Sequence, residues 1–160
     1  MDIRAAVPTD ADSIWAILEP TIRAAQTYTL PEDMNREDAL ASWFSPGHEV
    51  FVAEESGTVL GTYFLRPNQR GGGSHVANCG YVTAPWATRR GIARSMCAHS
   101  LDQARVRGYR AMQFNFVIAT NERAIRLWES FGFKTVGRLP GVFRHPELGF
   151  VDALVMHRPL

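Results

Sequence analysis

A mixed α/β sheet is the fold class this sequence predicts, and three observations carry it. Strand-length stretches rich in apolar, β-branched and aromatic residues recur along the chain. Two of them, Glu49 to Glu54 and Val59 to Leu65, are separated by Glu55-Ser56-Gly57-Thr58, the spacing of an antiparallel hairpin. Later in the chain, strands alternate with stretches of helical period, the arrangement that joins parallel neighbours through a helix. With 160 residues and 46% hydrophobic content, one domain over residues 1–160 has enough core to fold alone.

Taken in order, Ile3 to Ala6 is a short strand. Pro8-Thr9-Asp10-Ala11-Asp12 opens a helix, with Thr9 placed to cap it and Asp12 three residues on. Ile14, Ile17, Leu18 and Ile22 give that helix its apolar side. Thr27-Tyr28-Thr29-Leu30-Pro31 breaks the period, and a second helix is expected from about Arg36 to Phe44. The stretch between the two helices serves either as a substrate-facing loop or as a plain connector. Beyond the hairpin, Gln69 to Ser74 holds three consecutive glycines and reads as a flexible loop, because strand pattern resumes at His75.

Asn78 to Thr83 is the next strand, and Pro85 ends it, since proline has no N–H to give a ladder. Ala93, Met96, Cys97, Leu101 and Ala104 mark one face of a long helix that closes at Arg107-Gly108. Met112 to Val117 is a strand, Asn121 caps a helix from Glu122 to Ser130, and Phe131-Gly132-Phe133 leads into a strand reaching about Gly137. An irregular stretch, Pro140 to Glu147, precedes a final strand from Val151 to His157. There is no internal repeat and no low-complexity tract.

Composition excludes several classes of function. Seventeen basic against sixteen acidic residues give a formal charge of +1, too little for a general nucleic-acid binder. No apolar run approaches the roughly 20 residues that cross a bilayer, and Met1-Asp2-Ile3-Arg4-Ala5 lacks the apolar core of a signal peptide. Cys79 and Cys97 have no framework spacing and read as reduced, packed thiols of a cytoplasmic protein. The histidines at 48, 75, 99, 145 and 157 have no metal-ligand spacing, although His145, beside Arg144 in a Pro/Gly-rich stretch, has the option of facing a substrate.

The residues from Pro85 to Arg94 carry the clearest chemistry. A helix start leaves backbone N–H groups unpaired and partly positive, which suits a phosphate. Gly91 permits close backbone approach, and Arg89, Arg90 and Arg94 add full charges. Many helices also begin near a glycine and arginines and bind nothing, so this turn alone leaves both readings open. Neither the Walker pattern nor the three-glycine dinucleotide fingerprint is present. In a sheet of this class ligands bind beyond the carboxyl ends of parallel strands, which brings the arginine turn and Asn121 to one mouth.

Two motifs then resemble the GNAT superfamily of acetyl-CoA-dependent N-acetyltransferases. Thr88-Arg89-Arg90-Gly91-Ile92-Ala93 resembles the family's Gln/Arg-x-x-Gly-x-Gly/Ala turn. Asn121 through Phe133 resembles its Asn-x-x-Ala-x-x-Leu-Tyr-x-x-x-Gly-Phe helix. The resemblance implies a mostly antiparallel seven-stranded sheet, splayed at its centre, with helices on both faces. It implies that the amides from Arg89 through Arg90, Gly91, Ile92 and Ala93 to Arg94 bind the CoA pyrophosphate. It implies further that Tyr81, Val82 and Thr83 pair with the pantetheine arm, that an N–H there polarises the acetyl carbonyl, and that splaying at Asn115 opens the slot. Asn121 would meet the arm near its thiol end, and Trp128 occupies the family's tyrosine position.

Two departures accompany the match. Thr88 replaces the preferred Gln or Arg, which removes a side-chain contact and leaves the amides. Trp128 replaces a tyrosine that protonates the leaving thiolate in many members; an indole N–H donates a hydrogen bond but is no useful acid near neutral pH. Trp128 serves equally as a core plug or as a wall of the site. A narrower resemblance, through Asn78-Cys79-Gly80-Tyr81, Phe114-Asn115-Phe116-Val117 and the C-terminal stretch, is to fungal azetidine-2-carboxylate and proline-analogue acetyltransferases and to phosphinothricin-type enzymes. It implies that Asn78 and Asn115 hold a small amino-acid substrate, as against the ordinary duty of a strand asparagine toward a neighbouring backbone.

The expected function is transfer of acetyl from acetyl-CoA to a small amine by direct attack in a ternary complex, with the proton relayed through water. Related enzymes suggest a homodimer built by the final strands. A protein or antibiotic amine as acceptor, and a non-catalytic acetyl-CoA-binding module, are the competing expectations. An acetyl-cysteine intermediate is disfavoured because Cys97 falls on the helix face expected to pack inward.

Overall fold

Hydrophobic alternation in the first half of the chain builds a meander, and the computed structural model describes it together with the rest of residues 1–160. β1 (Asp2–Ala5), β2 (Glu49–Glu55), β3 (Thr58–Pro67) and β4 (Val76–Thr83) pair in that order, each antiparallel to the last. The hairpin between β2 and β3 turns through Ser56 and Gly57, consecutive residues at positive φ, as the twist of a tight hairpin demands. β5 (Ala111–Ile118) lies beside β4, and β7 (Gly149–Pro159) and β6 (Lys134–His145) complete the order β1-β2-β3-β4-β5-β7-β6. The expected mostly antiparallel seven-stranded sheet is therefore present, with β4 and β5 as its one parallel pair.

The helices divide between the two faces. α1 (Ala11–Ala24) buries Ile14, Ile17, Leu18 and Ile22, the side its spacing predicted, and packs with α2 (Arg36–Trp43) on one face. On that face the Trp43 indole donates to the Thr62 hydroxyl at 3.1 Å and meets the Phe64 ring edge-on at 4.9 Å. Alternation along β3 sends Tyr63 the opposite way, where its hydroxyl lies 2.7 Å from His99 of α3 (Ile92–Val106). α4 (Glu122–Ser130) joins α3 on this second face through Trp128, 5.0 Å from the Tyr81 and Phe114 rings.

Three local expectations need correction. Thr9 does not cap α1: Pro8–Asp10 forms a 3-10 turn, and the Asp10 carboxylate accepts the Val7 N–H at 2.8 Å. The stretch from Pro140 is not irregular but continues β6 to His145, making a long hairpin with β7. Pro140 is tolerated because β6 is an edge strand whose register shifts between Leu139 and Phe143. His145 lines neither cavity of the candidate site; its Nδ1 accepts the N–H groups of Glu147 and Leu148 at 3.1 and 3.2 Å and so fixes the hairpin turn.

One ion pair, buried on its Asp10 side and half-exposed at Arg4, ties the first strand to the start of α1. Both Asp10 oxygens accept from Arg4, at 2.8 and 3.0 Å, and Arg4 also reaches Glu54 on β2. The hydrogen bonds from Arg4 hold the Asp10 carboxyl below its ordinary value. A folded-state value below the unfolded one gives stability that is full above about pH 5 and lost as pH falls through the folded value. D10N is expected to lower stability by about 1–3 kcal/mol at pH 7. Urea denaturation of both proteins from pH 7 down to about pH 3 checks this, with the gap narrowing as the carboxylate of the parent protonates.

Candidate active site

The site exists because β4 and β5 stop pairing. They share only Val76↔Ala111 and Ala77↔Met112, then diverge. Val76 and Ala84 direct their backbone groups to β3, through Asn68 N–H to Val76 O at 2.7 Å and Ala84 N–H to Leu60 O at 2.8 Å. Alternation then turns the backbones of Cys79, Tyr81 and Thr83 toward the opening and that of Val82 toward β3. The Tyr81 carbonyl is occupied there, accepting the Tyr28 hydroxyl at 2.9 Å, while the Tyr81 and Thr83 N–H groups face the gap with no protein acceptor.

Asn78 sits at the fork. Its Nδ2 donates to Gln113 O at 2.9 Å, replacing the next ladder bond across the divide, and its Oδ1 accepts from Arg66 Nε at 3.0 Å. The divergence thus begins at Asn78 and Gln113, two residues before Asn115. Asn115 stands in a bulge of β5 where Asn115 and Phe116 oppose Val155 alone. Its Oδ1 accepts from Gln113 Nε2 at 2.9 Å and its Nδ2 donates to Asn68 Oδ1 at 2.7 Å. Both asparagines therefore belong to a bonded polar rim and not to isolated strand positions.

A cavity of about 920 Å³ passes through the sheet at this gap, lined by Tyr28, Phe64, Arg66 and Asn78 on the α1–α2 face and by Trp128, Leu127 and Arg94 toward α3 and α4. A second cavity of about 340 Å³, bounded by Trp43, His48 and Leu30, adjoins it on the α1–α2 face through Tyr28, Phe64 and Arg66. Gly80 lets the Phe64 ring and the Tyr28 hydroxyl lie against β4: a Cβ there would stand 2.5 Å from Phe64 Cε1 and 3.1 Å from the Tyr28 oxygen. Tyr28 belongs to the stretch between α1 and α2, which settles that stretch as part of the site wall.

At the other end of the gap, Arg89 and Gly91 have positive φ of 64° and 78°, and Gly91 is the N-cap of α3. Ser95 N–H returns to Gly91 O at 3.0 Å, so the amides of Ile92, Ala93 and Arg94 are the free donors of the first turn. Arg89 and Arg94 line the cavity, the Arg94 guanidinium also donating to Ser130 Oγ at 3.2 Å, whereas Arg90 does not line it; its side chain pairs with Glu55 on β2, leaving only its backbone for a ligand. Asn121 caps α4, accepting the Ala124 N–H at 3.4 Å, and its amide nitrogen is uncommitted on the cavity wall. Trp128 is both plug and wall: 8% exposed, packed on Tyr81 and Phe114, with an indole N–H that no protein group accepts.

Five arginines line the cavity (Arg66, Arg89, Arg94, Arg123 and Arg126), and no aspartate, glutamate, lysine or histidine does. A chain of near-zero net charge has gathered cations around one opening, which suits a polyanion. Sequence reading missed Arg66, Arg123 and Arg126. The two on α4 follow Asn121 on one helix and were within reach of its 3.6-residue period. Arg66 shows its role only once β3 is set in register opposite Asn78.

No nucleophile or strong acid serves this opening. Burial pushes the Cys79 and Cys97 thiols up to about 12, so both stay protonated; Cys97 is fully buried and Cys79, 7% exposed, only edges the cavity. Burial also raises the Tyr81 phenol far above its usual range; it sits 2.7 Å from the Ser100 hydroxyl and stays protonated. The arrangement suits an anionic ligand, bares two strand amides beside it, and is lined by residues of both sheet faces.

Comparison with known proteins fits this geometry. The model of the acetyltransferase (GNAT) family matches residues 12–133. The N-acetyltransferase aca1 of Schizosaccharomyces pombe is 31% identical, covering 84% of this chain and 72% of that one. A GCN5-related N-acetyltransferase from Kribbella flavida is 37% identical with a TM-score of 0.95, covering 99% and 97% of the two chains. A putative acetyltransferase from Salmonella typhimurium, solved with its cofactor acetyl-CoA, shares the fold at 24% identity and a TM-score of 0.86, covering 100% and 94%.

The buried, protonated thiols give a direct check on a transfer route without a covalent enzyme intermediate. Folded protein treated with a chromogenic disulfide reagent at pH 8 is expected to release almost no chromophore. Both cysteines react once denaturant is added.

Proposed function

The chain belongs to the acetyltransferase (GNAT) family, and from that premise we propose that it moves the acetyl group of acetyl-CoA onto the amine of a small amino acid or amino-acid analogue, by direct attack in a ternary complex. Acetyl-CoA is the acyl donor of the family. What carries the acceptor reading is the cavity that runs through the sheet, with phosphate-binding devices at one end and the Arg66–Asn78 pair with Asn115 at the other. The positions of Asn78 and Asn115 support a likeness to the fungal amino-acid acetyltransferases, as does similarity to a fungal N-acetyltransferase.

Each chain element has a task in this reading. The amides of Ile92, Ala93 and Arg94, with the Arg89 and Arg94 guanidinium groups, take the pyrophosphate. The unpaired edge of β4 takes the pantetheine arm, and a Tyr81 or Thr83 N–H polarises the acetyl carbonyl, a contribution of about 3–4 kcal/mol for one such donor. Asn121 and the Trp128 indole N–H offer donors near the departing sulfur.

The acceptor enters from the α1–α2 face, where alignment of the reacting atoms lowers the barrier by roughly 7–11 kcal/mol. The C–N bond forms as the C–S bond breaks. The ammonium proton leaves to solvent before attack, a second proton leaves after it, and the thiolate is protonated from water. The products are an N-acetyl amine and free CoA. Exposed apolar side chains on the β6–β7 hairpin, among them Val136, Leu148 and Phe150, support a homodimer through that edge. Two free cysteines support a cytoplasmic location.

Release of CoA thiol with a panel of amino acids tests the reaction. Saturable release is expected with a small amino acid; none with any member, while a peptide or aminoglycoside reacts, overturns the acceptor assignment. Within that assay R89A and R94A are expected to raise KM for acetyl-CoA roughly tenfold, as the loss of about 1.4 kcal/mol of charge-assisted bonding would. R90A, whose side chain is tied to Glu55, is expected to stay within about twofold of the parent.

A further inference from the structure

We propose that Arg66 is the receptor for the acceptor's carboxylate, so that the enzyme selects free α-amino or imino acids and rejects the corresponding amines that lack the carboxylate. This rests on the amino-acid reading given above and assigns the residue that enforces it.

Four observations carry the assignment. Arg66 is partly buried at the end of β3 and lines both the through-sheet cavity and the smaller cavity beside it, so its head stands where the acceptor must pass. It has no carboxylate partner, although eight other arginines of this chain have one. Its Nε is spent on Asn78 Oδ1 at 3.0 Å, which fixes the plane of the guanidinium, while both terminal nitrogens donate to no protein group. Asn78 is itself anchored to Gln113 O at 2.9 Å, so the cation is held against the sheet at the fork.

A planar cation, partly withdrawn from water and oriented by one hydrogen bond, with two terminal donors free, matches a carboxylate in bidentate geometry. The other cavity arginines stand toward the α3 and α4 end, where the phosphate cradle is, which leaves Arg66 as the cation of the acceptor end. Its surroundings define the remainder of the ligand. Phe64, Tyr28 and Trp43 form an aromatic wall, and no carboxylate lines either cavity to receive a second ammonium. A small acid with one amine and an apolar side chain or ring fits; a polyamine or an aminoglycoside meets a like charge.

Paired acceptors test this: L-proline against pyrrolidine, and L-alanine against ethylamine, each followed by CoA thiol release. In the parent protein kcat/KM is expected to favour the acid at least tenfold in each pair. R66A is expected to lower kcat/KM for the acid about tenfold to hundredfold, the range for one charge-assisted pair, and to collapse the acid-to-amine ratio toward one. R66K, which keeps the charge and loses the bidentate fork, is expected to fall between the two.

A purely structural role would slow acid and amine together and leave their ratio intact; that result overturns the proposal even where activity falls. The binding constant for acetyl-CoA, measured on each variant by calorimetry, reports whether the site survived the substitution. If the parent acetylates amino acids and R66A keeps the preference for the acid, Arg66 is not the receptor and the broader reading stands. If the parent accepts no amino acid but acetylates another amine, both fall together.

Discussion

The whole molecule is arranged around a refusal of two neighbouring strands to stay paired. β4 and β5 hold together over two residue pairs and then separate, and the backbone groups left behind would be a liability anywhere else in a sheet. Here one is taken by the Tyr28 hydroxyl and the fork is bridged by the Asn78 amide, while the Tyr81 and Thr83 N–H groups are left for a ligand. The bulge at Asn115 and Phe116 bends β5 away and keeps it paired to β7 beyond the bulge, so the gap opens without unravelling the other half of the sheet.

Electrostatics then gives the two ends of the gap different chemistry. At the α3 end, free helix amides, two guanidinium side chains and a strained Arg89 backbone converge where a diphosphate is expected. At the α1–α2 end, a single oriented cation stands beside aromatic walls. No carboxylate lines either end, although Glu122, outside the cavity, pairs with Arg126 of α4 at 3.5 Å. His48, in the adjoining cavity, is held neutral by burial, with its Nδ1–H donating to Trp43 O at 2.9 Å, so it adds no competing positive charge to that of Arg66.

Much of this was legible in the sequence, for physical reasons that differ by element. The hairpin at Ser56-Gly57, the apolar side of α1 and the cap at Asn121 are local, and local rules predicted them. The turn before α3 was legible because a proline, a glycine and several arginines have few other uses in a row. What sequence could not show was pairing. Arg66 lies just past the strand expected from Val59 to Leu65 and meets Asn78 only once β3 is set in register with β4, and Val82 could not be told from its neighbours until alternation turned its backbone away from the gap. Arg90, identical in kind to Arg89, was claimed by Glu55 thirty-five residues earlier in the chain. The expected loop after Pro140 failed because edge-strand tolerance of proline overrode its usual role as a breaker.

Amide hydrogen exchange over β4, with and without saturating acetyl-CoA, tests most directly whether the bared strand edge is the cofactor's seat. Strong slowing at Tyr81 and Thr83, with Val82 little changed because β3 already protects it, is the predicted result. Acetyl-CoA that binds and protects the turn at Gly91 to Arg94 while leaving exchange at Tyr81 and Thr83 unaltered would contradict the account.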